Sequence, residues 1–163
     1  MNRRALAVAA AVLGIAILLY AVFAKKSDEE LIREQLDDLA QAVRVSGPDE
    51  NPIFRGKRLH DKFEKLFVPN VRVDTAELTQ ISSGRTELVG VATRAGTIFR
   101  SADVEIDASS VDLIAGGSSA MVSGSATLVG GRGNGTQRDQ RRDRFGFAKT
   151  QDGWLIDSVV VAP

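Results

Sequence analysis

Residues 144–161, RFGFAKTQDGWLIDSVVV, decide how this chain folds. Phe145 and Phe147 alternate with Arg144 and Gly146, Gly153 punctuates, and Trp154 to Ala162 forms a second run rich in β-branched residues. Two such runs around a polar turn read as a β-hairpin with one apolar face. Working backwards, Arg138 to Lys149 is the strand that enters the hairpin, and Gly130 to Gly135 is a glycine-rich turn before it. Ser119 to Val129 reads as a long strand, with Gly124 a bulge or bend. Gly116 and Gly117 turn the chain, and Val111 to Ile114 extends the preceding strand after a kink. In that strand Ala102, Val104 and Ile106 alternate with Asp103, Glu105 and Asp107, which predicts an inward apolar face and a wet acidic one. The second half of the chain is thus expected to be four antiparallel strands joined by hairpins.

The first half reads as helical. Ser27 followed by Glu30 is a capping box, in which hydroxyl and carboxylate satisfy free N–H groups at a helix start. Ile32, Leu36, Leu39 and Val43 then recur at helical spacing, until Gly47 and Pro48 end the pattern. Pro48 to Lys57 reads as a loop. A second helix is expected from Arg58 to Phe67, burying Leu59, Phe63, Leu66 and Phe67, with Pro69 and Asn70 as its breakers. Val71 and Val73 mark a brief strand. Gly84 to Phe99 is ambiguous: Leu88, Val91, Ala92, Ala95 and Phe99 fit a helix, whereas the β-branched content argues against one. Helices first and hairpin strands later predict an α+β fold: about three helices packed on a curved, mainly antiparallel β-sheet.

Residues 5–24, ALAVAAAVLGIAILLYAVFA, carry no charge, with Arg3 and Arg4 before them and Lys25 and Lys26 after. About 20 helical residues span the ~30 Å hydrocarbon core of a bilayer, and a helix pairs its backbone groups internally as lipid demands. The run predicts a transmembrane signal-anchor over residues 1–26, followed by one domain over 27–163. Cleavage after Ala24 is the alternative, but Lys25 and Lys26 directly follow that point and secretory apolar cores are shorter. A buried core helix does not fit a run that is apolar on all faces. Ala10 and Gly14 have a small-xxx-small spacing, which Ala-rich segments contain by chance. The N-terminal amine, Arg3 and Arg4 outweigh Lys25 and Lys26, which precede Asp28, Glu29 and Glu30. The N-terminus is therefore expected inside and the domain extracytoplasmic, on an inner or plasma membrane.

The chain is neutral, with 21 basic and 21 acidic residues. Four of the basic residues flank the apolar run and no acid precedes Ser27, so the rest carries 17 basic against 21 acidic residues, a net charge of −4. Such a domain is not a natural nucleic-acid binder. The absence of cysteine excludes disulfides, zinc–thiolate sites and cysteine nucleophiles. One histidine and no cysteine leave no metal-ligand pattern, and no cofactor motif is present.

The order of elements resembles the nuclear transport factor 2-like superfamily, which includes the SnoaL-like cyclases and ketosteroid isomerase. Three stretches carry the likeness: the opening amphipathic helix, FEKLFVPNVRVD from Phe63 to Asp74, and RFGFAKTQDGWLIDSVVV from Arg144 to Val161, where a Gly-Trp pair opens the last strand. The resemblance covers most of residues 28–162. It implies a cone-shaped domain with a pocket, often dimeric through its sheet, and no single activity. Membrane-tethered relatives look similar in plan: the inner-membrane periplasmic component of type IV secretion systems and the mammalian-cell-entry-associated membrane proteins. They serve as assembly or scaffold parts.

Candidates for chemistry are few. His60 and Asp61 pair an imidazole with a carboxylate. Adjacent helix positions point about 100° apart, so an exposed helix histidine is the simpler reading. Asp157, between Leu155 and Val159, is the best single candidate for an inward acid, although a place on the sheet surface suits it better. If the parity of Asp103, Glu105 and Asp107 were reversed, three carboxylates would line the pocket and raise one another's pKa, at the cost of exposing the apolar face. Arg138, Arg142 and Arg144 share one strand face with Gln140, a row suited to an anion or an acidic partner, or simply a charge-paired strand that discourages edge aggregation. The glycines Gly130, Gly131, Gly133 and Gly135 lack the Lys-Ser/Thr ending of a phosphate loop and read as a hairpin turn. Asn134-Gly135-Thr136 matches a glycosylation acceptor, relevant only in a eukaryotic secretory cell. Trp154 reads as core.

The expectation is a single-pass membrane protein whose extracytoplasmic domain is a non-catalytic binding or assembly module, meeting a protein partner or a second copy through its sheet face. The alternatives are a small-molecule isomerase, cyclase or hydrolase using His60, Asp61 and Asp157, or a lipid-handling domain with an acyl chain in the pocket and a headgroup on the arginine row.

Overall fold

The computed structural model describes residues 26–47, 50–75, 84–114, 116–132 and 135–162. The chain divides into two compact units, Met1–Leu31 and Ile32–Pro163. The apolar run at 5–24 lies outside the described residues, as do Pro48, Gly133 and Asn134. Among the described residues no helix is long and apolar enough to cross a membrane.

The elements run α1 (Asp28–Val43), α2 (Pro52–Leu66), β1 (Phe67–Thr75), α3 (Arg85–Ile98), β2 (Ser101–Leu113), β3 (Ser119–Arg132), β4 (Gly135–Thr150) and β5 (Gly153–Val161). The α+β expectation holds: three helices lie on a curved five-stranded sheet of order β1-β5-β4-β3-β2. β1 runs parallel to β5 and the remaining pairs are antiparallel, so the sheet is mixed.

The capping box forms at the head of α1. The Ser27 N–H donates to Glu30 Oε2 (2.8 Å) and the Glu30 N–H to Ser27 Oγ (3.2 Å). The Ser27 backbone bond, then its hydroxyl, hold the Glu30 carboxyl below its ordinary range. Further along α1, Ile32, Leu36, Leu39 and Ala42 are buried, a stripe at 3–4-residue spacing.

The second helix corrects the sequence reading. It begins at Pro52, not Arg58. Asn51 caps it by accepting from the Ile53 N–H (2.9 Å). Pro52 takes the first helical position, where no N–H is needed. What reads as loop is therefore the first turns of α2. The following strand is longer than a brief Val71–Val73 segment. Phe67 starts it, and Pro69 and Asn70 fall within it where the register with β5 shifts. A proline is tolerated there because β1 is an edge strand.

β2 and β3 pair from Ser101↔Gly131 to Leu113↔Ala120, with a bulge between Ala108 and Ser110. Gly124 lies opposite Ala108, and a Cβ there would collide with the Asp107 carbonyl oxygen. The irregularity expected at Gly124 thus sits on the neighbouring strand, and the glycine makes room for it. Gly116 and Gly117 turn the chain between these strands with φ of 96° and 66°. Such values favour glycine, which has no Cβ to clash. The core joins Ile32, Leu36 and Leu39 to Leu59, Phe63 and Leu66, and to Val122, Phe145, Phe147, Trp154 and Ile156 from the sheet. Phe63 and Phe67 meet edge to face, centroids 4.9 Å apart.

Candidate functional site

Between the helices and the sheet lies a cavity of about 310 Å³. The end of α1 gives it Leu39 and Val43, followed by Val45, and Phe63 comes from α2. One face of α3 contributes Leu88, Val91, Ala92 and Ala95, with Phe99 just beyond it. The sheet supplies Phe67, Val73, Ala102, Val104, Leu128, Phe145 and Val159. Every lining side chain is hydrocarbon. The Val104–Glu105 parity follows the expected one: Asp103, Glu105 and Asp107 are exposed, while Val104 lines the cavity and Ile106 packs on the core. No residue of α3 is fully buried; Leu88, Val91, Ala92 and Ala95 face the cavity, while Ile98 is exposed. Leu88 and Ala92 pack on the edge of the core, and with Val91 and Ala95 they also border the cavity.

A buried arginine holds α3 over this cavity. Arg55 is 2 % exposed and stands on α2 in line with Leu59, Phe63 and Leu66. Its guanidinium donates to the Val43 and Arg44 carbonyls (3.1 and 2.9 Å), to the Ala92 carbonyl of α3 (3.2 and 3.3 Å) and to Glu50 Oε2 (2.9 Å). The first two are carbonyls at the C-terminal end of α1, where helical partners run out and positive charge is favoured. Glu50 also accepts from Arg58, which donates to the Ala42 carbonyl (3.3 Å). Desolvation is the largest single influence on Glu50 and pushes its pKa up. The hydrogen bonds from Arg58 and Arg55, with their charges, outweigh it together and hold the carboxyl below its ordinary range. At the other end of α3, Arg85 donates to the Phe67 carbonyl (3.3 Å) and lies 3.6 Å from Glu64. The sequence reading gives Arg55 no role because it places residue 55 in a loop. The available signal is Asn51-Pro52, which starts the helix early enough to put Arg55 on its apolar face.

The structure does not gather the catalytic candidates. His60 is exposed on α2, its Nε2 3.8 Å from Glu64 Oε1, and Asp61 is exposed beside it. Asp157 lies in a β5 bulge, between the pairs Gly146↔Ser158 and Phe147↔Ile156. With Ile156 and Val159 turned inward, Asp157 and Ser158 both stand over Gly146 on the outer face, joined by a 2.8 Å hydrogen bond. None of the three lines the cavity. Among the described residues no group of His, Asp and Glu is placed to hold a metal. Arg138, Arg142 and Arg144 are exposed on one face of β4, with Gln140 between them and donating to Ser125 Oγ (3.3 Å). On the other face of β4, Asp143 is buried, and its Oδ1 has no hydrogen-bond partner among the described residues. Burial pushes this carboxyl above its ordinary range, against the opposing pull of the Ala126 backbone and of Arg141.

This architecture is the nuclear transport factor 2-like fold. An NTF2-like superfamily protein from Salmonella enterica serovar Typhimurium superposes with a TM-score of 0.61 at 17 % identity, over 80 % of this chain and 87 % of that one. An NTF2-like protein with a cystatin-like fold from Novosphingobium aromaticivorans gives 0.62 at 14 % identity, over 93 % and 88 %. A conserved protein from Planctomyces limnophilus gives 0.65 at 13 % identity, over 83 % and 97 %. At such identities the likeness is one of fold. No protein-family model matches the chain, and no curated protein matches its sequence.

Proposed function

We propose that this is a single-pass membrane protein whose extracytoplasmic domain is a non-catalytic module that binds a small apolar ligand in the cavity. The lining carries the reading: sixteen residues from all three helices, their flanks and the sheet converge on about 310 Å³ without one ionisable side chain. That volume is at the lower end of the roughly 300–1,000 Å³ of small-molecule pockets. Without a polar anchor, selectivity rests on shape and size, and binding removes apolar surface from water. The test is binding of an apolar fluorescent probe such as N-phenyl-1-naphthylamine to the folded protein. Ala95→Phe, which pushes a ring into the cavity from α3, should abolish probe binding while leaving the thermal midpoint unchanged or raised. Undiminished binding in this variant would sink the proposal.

The outer face of the sheet favours a second role, assembly. Asp103, Glu105 and Asp107 on β2 are in register, across Val129, Thr127 and Ser125 of β3, with Arg138, Gln140 and Arg142 of β4. The acidic and basic rows run side by side, roughly 10 Å apart. If two copies stack face to face about an axis parallel to β3, each acidic row covers the other's basic row. An axis across the strands sets like charge on like. Asp103→Lys/Asp107→Lys and Arg138→Glu/Arg142→Glu should each sediment as monomers, and an equimolar mixture should recover a dimer. Wild-type protein that stays monomeric at all concentrations rules this role out.

A further inference from the structure

The two most exposed large apolar side chains among the described residues are neighbours. Ile53 is 80 % and Phe54 73 % exposed, both in the first turn of α2. From Phe54 a stripe continues along α2 at helical spacing through Lys57, Arg58, Asp61, Lys62 and Lys65, bordering a shallow hollow. Arg58 is occupied by Glu50 and the Ala42 carbonyl, but none of the three lysines forms an ion pair among the described residues. Asp61 is the stripe's single acid, and nearby Glu64 lies against His60 and Arg85.

Single exposed apolar residues are ordinary on a folded surface. The apolar face of α2 is taken up by the core, but its exposed Ile-Phe tip and lysine-rich flank together offer a lipid surface an apolar wedge and cations for its phosphates. The aromatic and aliphatic tips enter the headgroup boundary, and the long lysine stems let the ammonium groups reach phosphates. The occupant's charge follows from the same residues. Residues 27–163 carry a net −4, so an anionic surface repels this part of the chain as a whole and is met only where cations are concentrated.

We propose that α2 is a membrane-contact element: Ile53 and Phe54 insert into the interface of an anionic bilayer while Lys57, Lys62 and Lys65 pair with its phosphate headgroups. The inference rests on reading residues 5–24 as an anchor, which holds the domain beside a bilayer.

The chain has no cysteine, so Ile53→Cys accepts a single NBD fluorophore in the full-length protein. The labelled protein is reconstituted into bilayers of phosphatidylcholine alone or mixed with phosphatidylglycerol. In the mixed bilayer the emission should shift to the blue and be quenched by a lipid-borne quencher. Both effects should disappear at high salt and in Lys57→Gln/Lys62→Gln/Lys65→Gln. They should persist in Arg72→Gln/Arg94→Gln/Arg100→Gln, which removes equal charge from exposed positions elsewhere. A label that stays wet in both bilayers, a shift that ignores lipid charge, or burial that requires an added protein instead of lipid overturns the proposal. The anchor is judged separately, by flotation of the full-length chain with neutral vesicles.

Discussion

Arg55 occupies the space into which a side chain at position 96 would grow. A Cβ on Gly96 would stand 2.7 Å from Arg55 Nε, whereas one on Gly90, six residues earlier in the same helix, has its nearest neighbour at 3.9 Å. Alanine is preferred over glycine in a helix interior by about 1 kcal/mol. Gly90→Ala should therefore raise stability by up to that amount. Gly96→Ala should lower it by roughly 1–3 kcal/mol, as overpacking does, because the displaced guanidinium gives up several hydrogen bonds at once. Equal urea midpoints for the two variants would contradict this account. Such an effect was not legible in the sequence. Gly96 looks like any helix glycine until the fold brings α2 against α3, and Arg55 looks like a surface cation until Asn51-Pro52 is recognised as a helix start.

At the scale of elements, the Glu50–Arg55–Arg58 cluster ties the end of α1 to α2 and α3. Glu50 has a lowered pKa. Its contribution is therefore complete above the unfolded carboxylate value of about 4.3 and is lost as pH falls through the lower folded value. Glu50→Gln should cost about 1.5–2 kcal/mol at pH 7, the lower part of the range for a hydrogen bond to a charged group, since the carboxylate keeps some contact with water. The difference from wild type should shrink below about pH 4. Denaturant titrations at both pH values check it; a constant difference would show that charge plays no part. The same scale explains the ambiguity of α3. A helix packed on solid core shows a sharp apolar stripe. The cavity face of α3 has two alanines, Ala92 and Ala95, beside Leu88 and Val91, while Val89 and Ile98 lie off that face, so its stripe blurs. The α1 stripe and the β2 alternation were legible because one face of each meets close-packed core or cavity wall and the other meets water.

At the scale of the whole molecule, the membrane topology makes the prediction. If residues 5–24 span a bilayer with the N-terminus inside, external protease acting on cells with the outer layer opened should digest the C-terminal domain, and carbonate should not extract the chain. A domain protected in those cells would reverse the orientation. The sequence by itself determined the α+β class, the capped first helix and the hairpin order, because periodicity, caps and turn glycines are local. The early start of α2 was available in the same local code, in Asn51 and Pro52. Only the tertiary structure decided that β1 closes the sheet beside β5, that Arg55 bridges α1 and α3, and that the space among them is lined by hydrocarbon alone. Each of these joins residues far apart along the chain, and no local pattern records which of them will meet.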